Sequence, residues 1–203
     1  MSKICYIVGA GEFYGELVRD GGDIVIAADG GYDALKSRSI ACDLLIGDMD
    51  SIKNAPKDVE ILRVPVEKDE TDTYLCYLEG VRRGYENFVI FGSVGGREDH
   101  TFANYSLLIG AIKQGKRVKL VSEHFDIFAI SNEKFEIKNR KDHALSVFAF
   151  DSDAEGVTIE GCKYEAQDVT LSPTFPLGVS NLITSDSAFV SVDRGTLLLM
   201  IER

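Results

Sequence analysis

The chain has 203 residues, of which 45% are hydrophobic, enough to bury the core of one large domain or two modest ones. Its formal net charge of −11 argues against nucleic acid or an anionic membrane as a partner, because proteins that neutralise phosphate normally present a basic face. The four cysteines include no Cys-x-x-Cys pair, which argues against a zinc site and a disulfide framework and favours a cytoplasmic protein. The apolar run ICYIV near the N-terminus is too short to span a membrane.

Strand patterns alternate with helical patterns through residues 1–125. Apolar runs rich in β-branched residues predict six strands here, which read KICYIV, DIVIAA, DLLIG, ILRVPV, NFVIFG and RVKLVS. This alternation is typical of parallel sheets, whose strands are joined by helical crossovers. We therefore predict an α/β N-terminal domain with a mainly parallel sheet flanked by helices.

Two of the intervening segments have clear helical periodicity. The segment DETDTYLCYLEGVRR follows the fourth strand, and its predicted buried stripe consists of Leu75, Leu78 and Val81. The segment TFANYSLLIGAIKQG follows the fifth strand and ends at Gly115, and its predicted stripe consists of Phe102, Tyr105, Ile109 and Ile112. Both helices are expected to pack on the sheet through these stripes.

The pattern changes after residue 125. Short strands separated by Asn, Asp, Gly and Pro turns follow, and they read FDIFAIS, KFEIK, ALSVFAF, GVTIEG, DVTLS and AFVSV. No convincing helix lies between them. We therefore predict that residues 126–203 form a second, all-β domain that resembles a small sandwich.

Acidic residues follow the ends of the predicted parallel strands. The loops after the first five strands read GAGEF, ADGG, GDMDS, EKDETD and GSVGGREDH. Because ligands bind beyond the carboxyl ends of the strands in open α/β sheets, these loops are expected to meet at one crevice. The carboxylates brought together there are those of Asp29, Asp48, Asp50, Asp72 and Asp99.

A bound Mg²⁺ would explain such a group of carboxylates. Packed together without a partner, they would repel one another and their pKa values would rise, and a cation relieves this repulsion. Mg²⁺ commonly takes one or two protein carboxylates and completes its shell with water and substrate phosphates, and Asp48 and Asp50 are spaced to reach one ion. A simpler reading of each single loop remains, since Asp and Gly are common turn residues and Asp69, Thr71 or Asp99 would cap a helix.

Two glycine-containing loops favour phosphate as the ligand to different degrees. GAGEFYG partly resembles a dinucleotide fingerprint, but Tyr14 occupies the place of the third glycine, so a nicotinamide site is disfavoured. In GSVGGREDH the consecutive glycines allow close approach of the backbone to phosphate, and Arg97 offers a planar fork to an oxyanion.

These segments together resemble the thiamine pyrophosphokinase family. They are DGG at 29–31, GDMDS at 47–51, TD at 71–72, GGREDH at 95–100 and VSN at 179–181. The resemblance implies a homodimeric enzyme, with its active site at the subunit interface, that transfers the terminal pyrophosphoryl group of ATP to the hydroxyethyl group of thiamine. The products would be thiamine diphosphate and AMP. It also implies that residues 1–125 bind ATP and Mg²⁺ and that residues 126–203 bind thiamine.

The resemblance assigns roles to individual residues. It implies Asp48, Asp50 and Asp72 as metal ligands, and Asp29, Gly30, Gly31, Gly95, Gly96, Arg97 and His100 as nucleotide-binding residues. It implies Asp72, Arg97 and Asp99 as catalytic residues, and Asp99, Ser180 and Asn181 as thiamine contacts. The chain departs from the family pattern in two ways, because Val179 replaces a threonine and the chain has no tryptophan to stack on thiamine.

Two other classes of protein share parts of this pattern. An Asp-x-Asp pair after a strand also serves metal-dependent nucleotide-sugar transferases, which would use a sugar acceptor. A non-catalytic nucleotide-sensing module would need the glycine-rich loops but not the full set of acids.

Overall fold

The structure is a computed structural model that describes residues 2–48, 58–65, 67 and 69–203. It divides into two compact units. Met1–Leu107 and Gly115–Glu123 form the first, called the α/β unit below, and Leu108–Gln114 and His124–Arg203 form the second, called the β unit. Asp50, one of the predicted metal ligands, lies outside the described residues.

The described residues contain three helices and fourteen strands. The helices are α1 (Gly31–Ser37), α2 (Asp72–Arg82) and α3 (Glu98–Lys113). The strands are β1 (Ile4–Val8), β2 (Ile24–Ala28), β3 (Leu44–Gly47), β4 (Glu60–Arg63), β5 (Asn87–Phe91), β6 (Arg117–Val121), β7 (Phe125–Ser131), β8 (Lys134–Lys138), β9 (Ala144–Ala149), β10 (Ala154–Glu160), β11 (Ala166–Leu171), β12 (Asn181–Leu182), β13 (Ser187–Ser191) and β14 (Thr196–Glu202). None of these helices is long and apolar enough to cross a membrane.

The α/β unit has one sheet with the strand order β6-β5-β1-β2-β3-β4, and every pair in it is parallel. Helix α1 contributes Leu35 to a core that contains Tyr6 and Val8. Gly80 of α2 instead lies against Cys5 and Phe88. Because successive strand residues point to opposite faces, these contacts place α1 and α2 on opposite sides of the sheet. The predicted α/β fold class is confirmed.

The strand order reverses beside β1. The chain proceeds from β1 through β4 toward one edge of the sheet and then returns to build β5 and β6 on the other side of β1. The loops that follow β1 and β5 therefore lie at this reversal. Such a switch point is where open α/β sheets place their ligands.

The predicted buried stripes of the helices are partly wrong. In α2 the buried residues are Cys76, Tyr77, Glu79 and Gly80, whereas Leu78 is 40% exposed. The reason is the close approach of Gly80 to the sheet. A Cβ at this position would lie 2.6 Å from the Phe88 ring, so α2 packs on the sheet through the face that carries this glycine. In α3, Ile109 and Ile112 are buried as predicted, but Phe102 is exposed.

The β unit contains two four-stranded groups that enclose one core. The first has the order β12-β9-β14-β7 and the second β11-β10-β13-β8, with antiparallel pairing throughout. Leu197 and Leu199 of β14 pack in the same core as Val157 and Val190 of the second group. The predicted sandwich-like architecture is confirmed, although sequence patterns missed the two-residue β12 and the whole of β14.

Candidate active site

A cavity of about 390 Å³ lies at the switch point of the α/β unit. Its walls come from the loop after β1, the loop after β5 and the first turns of α2 and α3. The lining residues are Ala10, Gly11, Thr73, Gly92, Ser93, Val94, Gly96, Arg97, His100, Thr101 and Asn104. Helix starts carry unpaired backbone N–H groups and a positive partial charge, so two of them beside an arginine favour an anionic ligand.

The loops after β1 and β5 touch each other through their backbones. Gly9 N–H donates to Phe91 O at 2.8 Å, and Gly11 N–H donates to Gly92 O at 3.0 Å. A Cβ at Gly9 or Gly11 would come within 2.6 or 2.8 Å of Gly92 O, and Gly92 has φ +61°. These glycines therefore join two loops side by side, which explains GAGEF without a dinucleotide fingerprint.

Arg97, which immediately precedes α3, forms an exposed ion pair with Asp99 in the first turn of that helix. Arg97 Nη2 lies 2.6 Å from Asp99 Oδ2, and its Nε donates to Asp99 Oδ1 at 3.2 Å. The hydrogen bond from the guanidinium lowers the pKa of the Asp99 carboxyl, and Asp99 Oδ1 also accepts from the His100 N–H. Asp99 is therefore a weak base that holds Arg97 at the mouth of the cavity.

The glycines after β5 shape the same loop. Gly96 lines the cavity, and Gly95 has φ +83° and donates its N–H to Thr101 Oγ1 at 3.3 Å. Thr101 Oγ1 in turn donates to Arg97 O at 3.0 Å, which ties the loop to the start of α3. The predicted cluster of Gly95, Gly96, Arg97 and His100 is thus brought together around one wall.

Asp29 lies beside the end of β3 in an unusual conformation. Its φ is +43°, in the left-handed region that residues other than glycine seldom occupy. Its Oδ1 is buried and has no hydrogen-bond partner among the described residues. A Cβ at Gly47 would lie 3.1 Å from this oxygen, so the glycine leaves room for the carboxylate. Such an oxygen is chemically suited to a hard cation as its partner.

The other predicted metal ligands are only partly described. Asp48 follows β3 directly and is half-buried, and Asp72 is the first residue of α2, which Thr71 caps by accepting from Tyr74 N–H at 3.2 Å. Among the residues that the structure describes, no three His, Cys, Asp or Glu side chains form a group able to hold a metal ion. Asp50 falls outside those residues, so the structure does not describe every residue proposed to bind the metal.

Gly30 and Gly31 stand where β2 leads into α1. A Cβ at Gly31 would lie 1.9 Å from Val8 O, and one at Gly30 would lie 3.2 Å from Cβ of Ala10, which lines the cavity. Gly31 thus lets α1 begin directly against the end of β1. This packing role accounts for the pair independently of any ligand.

Several lining residues were not among the predicted site residues. Ser93 Oγ is buried without a hydrogen-bond partner among the described residues, and Asn104 Nδ2 donates to Ser93 O at 2.6 Å. Ser93 stood in the loop GSVGGREDH, so its neighbours could have suggested it. Asn104 had no such signal, because a single asparagine in a helix is usually solvent-exposed.

Ser180 and Asn181 lie in the β unit, and the structure treats them differently. Ser180 is exposed, has φ +58°, and donates its N–H to Ser146 Oγ at 3.1 Å. Asn181 is 8% exposed. Its Nδ2 donates to Tyr164 O at 2.7 Å, and its Oδ1 accepts from Tyr164 N–H at 3.0 Å and Leu182 N–H at 2.9 Å. The Ser180 side chain is therefore exposed, whereas the Asn181 side chain is buried and hydrogen-bonded within the β unit.

Two family models match segments of this chain. Residues 16–120 match the family model described as thiamin pyrophosphokinase, catalytic domain, and residues 131–197 match the thiamin pyrophosphokinase vitamin B1 binding domain. Thiamine pyrophosphokinase of Bacillus subtilis is 27% identical over 161 residues, which are 76% of this chain and 75% of that protein.

Solved structures show the same fold. The chain is similar to thiamine pyrophosphokinase from Bacillus subtilis, with a TM-score of 0.89, 24% identity and 99% of each chain covered. It is similar to the enzyme from Geobacillus thermodenitrificans, with a TM-score of 0.87, 22% identity and coverage of 98% and 97%. The enzyme from Candida albicans matches with a TM-score of 0.79 at 14% identity, over 98% of this chain and 89% of that one. Since the two family models together span most of its length, the chain belongs to the thiamine pyrophosphokinase family.

Proposed function

We propose that the chain is a thiamine diphosphokinase, which transfers the pyrophosphoryl group of ATP to the hydroxyl of thiamine and releases AMP. The observation that carries this proposal is the cavity at the switch point, which is lined by the glycine loops, helix starts and Arg97 of the matched catalytic domain. Neither sugar transfer nor passive nucleotide sensing gains support from the family match.

The cavity is suited to the triphosphate of ATP. The backbone N–H groups at the starts of α2 and α3 and in the glycine loops provide donors for phosphate oxygens. Arg97 adds a guanidinium group suited to phosphate oxygens, and its two contacts with the Asp99 carboxylate help to orient it. The helix starts and Arg97 together offset the negative charge of the nucleotide.

The reaction is a nucleophilic displacement at the β-phosphorus. The thiamine hydroxyl oxygen forms a bond to the β-phosphorus, and the bond between this phosphorus and the oxygen that bridges it to the α-phosphate breaks. AMP leaves with the electron pair of the broken bond, and the hydroxyl proton is released. Positioning and charge stabilisation supply most of the acceleration in such transfers. We assign Arg97 to the phosphate charge and Asp99 to the orientation of Arg97, since a carboxyl with a lowered pKa is a poor proton acceptor. Asp72 is then the carboxylate proposed to lie closest to the reacting groups.

Mg²⁺ is the proposed cofactor, and the orphaned Oδ1 of Asp29 supports it. Asp48, Asp50 and Asp72 are the residues proposed to hold it, with Asp29 beside them. When bound, Mg²⁺ would neutralise charge on the phosphate oxygens of ATP. With Mg²⁺ bound, the negative charge of the buried Asp29 carboxylate would be balanced, and the acidic crevice would accept a nucleotide.

We also propose a cytoplasmic homodimer whose active site lies at the subunit interface, as the family resemblance implies. In this arrangement the α/β unit of one subunit binds ATP and Mg²⁺, and the β unit of its partner supplies the thiamine contacts. Sedimentation at micromolar concentration would give twice the mass of the chain. A monomer with full activity would contradict the shared site.

The central experiment incubates the protein with ATP, Mg²⁺ and thiamine and measures the products. The proposal expects AMP and thiamine diphosphate in equal amounts, with no turnover when EDTA removes divalent cations. ADP with thiamine monophosphate would mean attack at the γ-phosphorus, and binding of ATP without turnover would favour a sensing module.

A further inference from the structure

The mouth and the floor of the cavity in the α/β unit differ in exposure and charge. Among the lining residues, Arg97 and His100 are exposed, and 71% of the Arg97 side chain is accessible. Ser93, Val94 and Asn104 also line the cavity, but they are buried, with exposed fractions of 7%, 5% and 4%. The cavity therefore has a mouth that carries a guanidinium and a floor of neutral, buried residues.

Ser93 places an unpaired hydroxyl in this floor. Its Oγ is buried and has no hydrogen-bond partner in the part of the chain that the structure describes. A buried hydroxyl without a partner destabilises the folded protein, so its presence in a native structure calls for an explanation. A ligand that reaches the floor and bonds to this oxygen provides one.

The backbone around this hydroxyl is held in place. The Asn104 side chain of α3 donates from Nδ2 to Ser93 O at 2.6 Å. The carbonyl of the preceding Gly92 accepts from Gly11 N–H at 3.0 Å. The backbone of Ser93 therefore does not have to be ordered when a ligand arrives, so a hydrogen bond to its side chain adds to affinity with little loss of conformational entropy.

The chemistry of the floor matches the uncharged part of a nucleotide. A phosphate placed there would lose its hydration next to neutral groups, and burial of an anion without a charged partner is very costly. Arg97 and the starts of α2 and α3 provide positive charge and N–H groups at the mouth instead. The phosphates therefore fit the mouth, and the nucleoside fits the floor, where Val94 adds apolar surface.

We propose that the Ser93 hydroxyl forms a hydrogen bond with the nucleoside part of ATP and helps the site to select a nucleotide over inorganic polyphosphate. This inference rests on the proposed function, since it names a contact for the nucleotide of that reaction. The hydroxyl is unpaired in the free protein and paired in the complex. Its removal should therefore weaken nucleotide binding without destabilising the free protein.

Competitive inhibition tests which part of the nucleotide meets the hydroxyl. The two inhibitors are AMP, which carries the nucleoside, and inorganic triphosphate, which does not, each measured against ATP in the presence of Mg²⁺. Ser93→Ala should raise KM for ATP and the inhibition constant of AMP about fivefold, the effect of one hydrogen bond, and leave the inhibition constant of triphosphate unchanged. Weaker inhibition by triphosphate in the variant, or unchanged binding of AMP, would overturn the inference.

The stability of the free protein separates a ligand contact from a structural role. Because Ser93→Ala removes an oxygen that has no partner, the midpoint of thermal unfolding without nucleotide should stay within about 3 °C of wild type or rise. The increase in this midpoint on addition of AMP should be smaller than in wild type. A larger fall without nucleotide would mean that the hydroxyl stabilises the fold, and it would overturn the inference.

Ser106→Ala is the matched control. Ser106 is an exposed serine of α3 that is not among the residues lining the cavity, and its Oγ donates to Phe102 O at 3.2 Å. This variant should keep the wild-type KM for ATP and the wild-type inhibition constants. An equal change in Ser106→Ala and Ser93→Ala would overturn the assignment to Ser93.

Calorimetric titration with AMP and Mg²⁺ separates this inference from the proposed function, because it requires no turnover. The affinity of Ser93→Ala for AMP should be about fivefold below that of wild type. Wild-type protein that releases no AMP from ATP and thiamine would refute the proposed function itself. Wild-type protein that releases AMP, while Ser93→Ala binds AMP with unchanged affinity, would refute only the role of Ser93.

Discussion

The cavity of the α/β unit and the segment around Ser180 in the β unit use opposite means to form a surface. In the first, backbones meet where side chains are missing, as at Gly11 and Gly92. In the second, a buried carboxamide, that of Asn181, fixes loops that carry exposed side chains. A phosphate chain needs charge and N–H groups, whereas an aromatic cation needs shaped surface, so the two constructions suit different substrates.

The largest effect is expected at the carboxylates of the α/β unit. Asp48→Asn and Asp50→Asn should each reduce kcat at least a hundredfold at saturating Mg²⁺, because each removes an oxygen ligand and a negative charge from the proposed metal site. The circular dichroism spectrum should not change. Asp33→Asn, which alters an exposed acid on α1, is the matched control and should keep full activity. Normal turnover in both variants would mean that Asp48 and Asp50 serve only as turn-forming residues.

A smaller effect is expected where backbones meet. Gly92→Ala should raise KM for ATP roughly tenfold or more, since its Cβ would lie 2.6 Å from Gly9 O and φ +61° strains any other residue. Gly110→Ala in α3 has open space around the new Cβ and should be neutral or slightly stabilising. Steady-state kinetics with varied ATP distinguish the two. An unchanged KM in Gly92→Ala would show that the loop contact does not shape the nucleotide site.

Ser180 should show a more modest effect, confined to the other substrate. Ser180→Ala removes one hydroxyl at an exposed position and should raise KM for thiamine about fivefold, which corresponds to about 1 kcal/mol for a hydrogen bond. KM for ATP should not change. Ser172→Ala alters another serine of the same loop, which pairs with Thr174, and serves as the control. An equal rise in KM for thiamine in Ser180→Ala and Ser172→Ala would contradict a specific role for Ser180.

The smallest effect on turnover, and a measurable effect on stability, is expected at Glu79. Hydrogen bonds from Arg82, opposed by burial and aided by Arg83, lower the pKa of its carboxyl from 4.5 to about 2. The ionised form therefore stabilises the folded state above pH 4.5, and this contribution disappears as the pH falls toward 2. Its upper bound is about 3 kcal/mol, and the solvent around Arg82 reduces the expected value to about 1–2 kcal/mol.

Urea denaturation of Glu79→Gln tests this dependence. The variant should lose stability relative to wild type at pH 7 and approach wild type as the pH is lowered from about 5 to about 2. Glu155→Gln disrupts an ion pair whose two side chains are 76% and 46% exposed, and it should change stability little at any pH. A difference in the free energy of unfolding between Glu79→Gln and wild type that does not vary with pH would mean that the effect does not arise from the titration of Glu79.

Patterns in the sequence were sufficient for the elements whose local signals agree with their surroundings. The first six predicted strands are short, mainly apolar runs, and all of them contribute strands to one parallel arrangement in the α/β unit. The loop GSVGGREDH was expected to lie at the crevice beyond the strands, and Gly96, Arg97 and His100 of this loop line the cavity. These features follow from short-range chemistry, so a single sequence reveals them.

Other features depend on contacts between residues far apart in the chain. The face that α2 buries is set by Gly80 against Phe88, and no periodicity of large apolar residues signals a small residue at an interface. The run TLLLMIE lacks the alternation of apolar and polar residues that marks a half-exposed strand. β14 lies between β7 and β9, and residues on both of its faces are buried. The engagement of Asn181 with Tyr164 joins residues 17 positions apart and could not be seen in the motif VSN.

The place of β14 has a consequence for the order in which the protein is made. It lies between β7 and β9 and contributes Leu197, Leu199 and Ile201 to the core of the β unit, yet it is encoded after both of its partners. While the ribosome is still adding residues 196–202, β7 and β9 have no neighbour to pair with on their shared side, and their apolar faces stay open to chaperones and proteases. Residues 1–123 already include all six strands of the parallel sheet, so nascent chains stalled at residue 195 and fully extruded should resist proteolysis in that region and be cleaved after it.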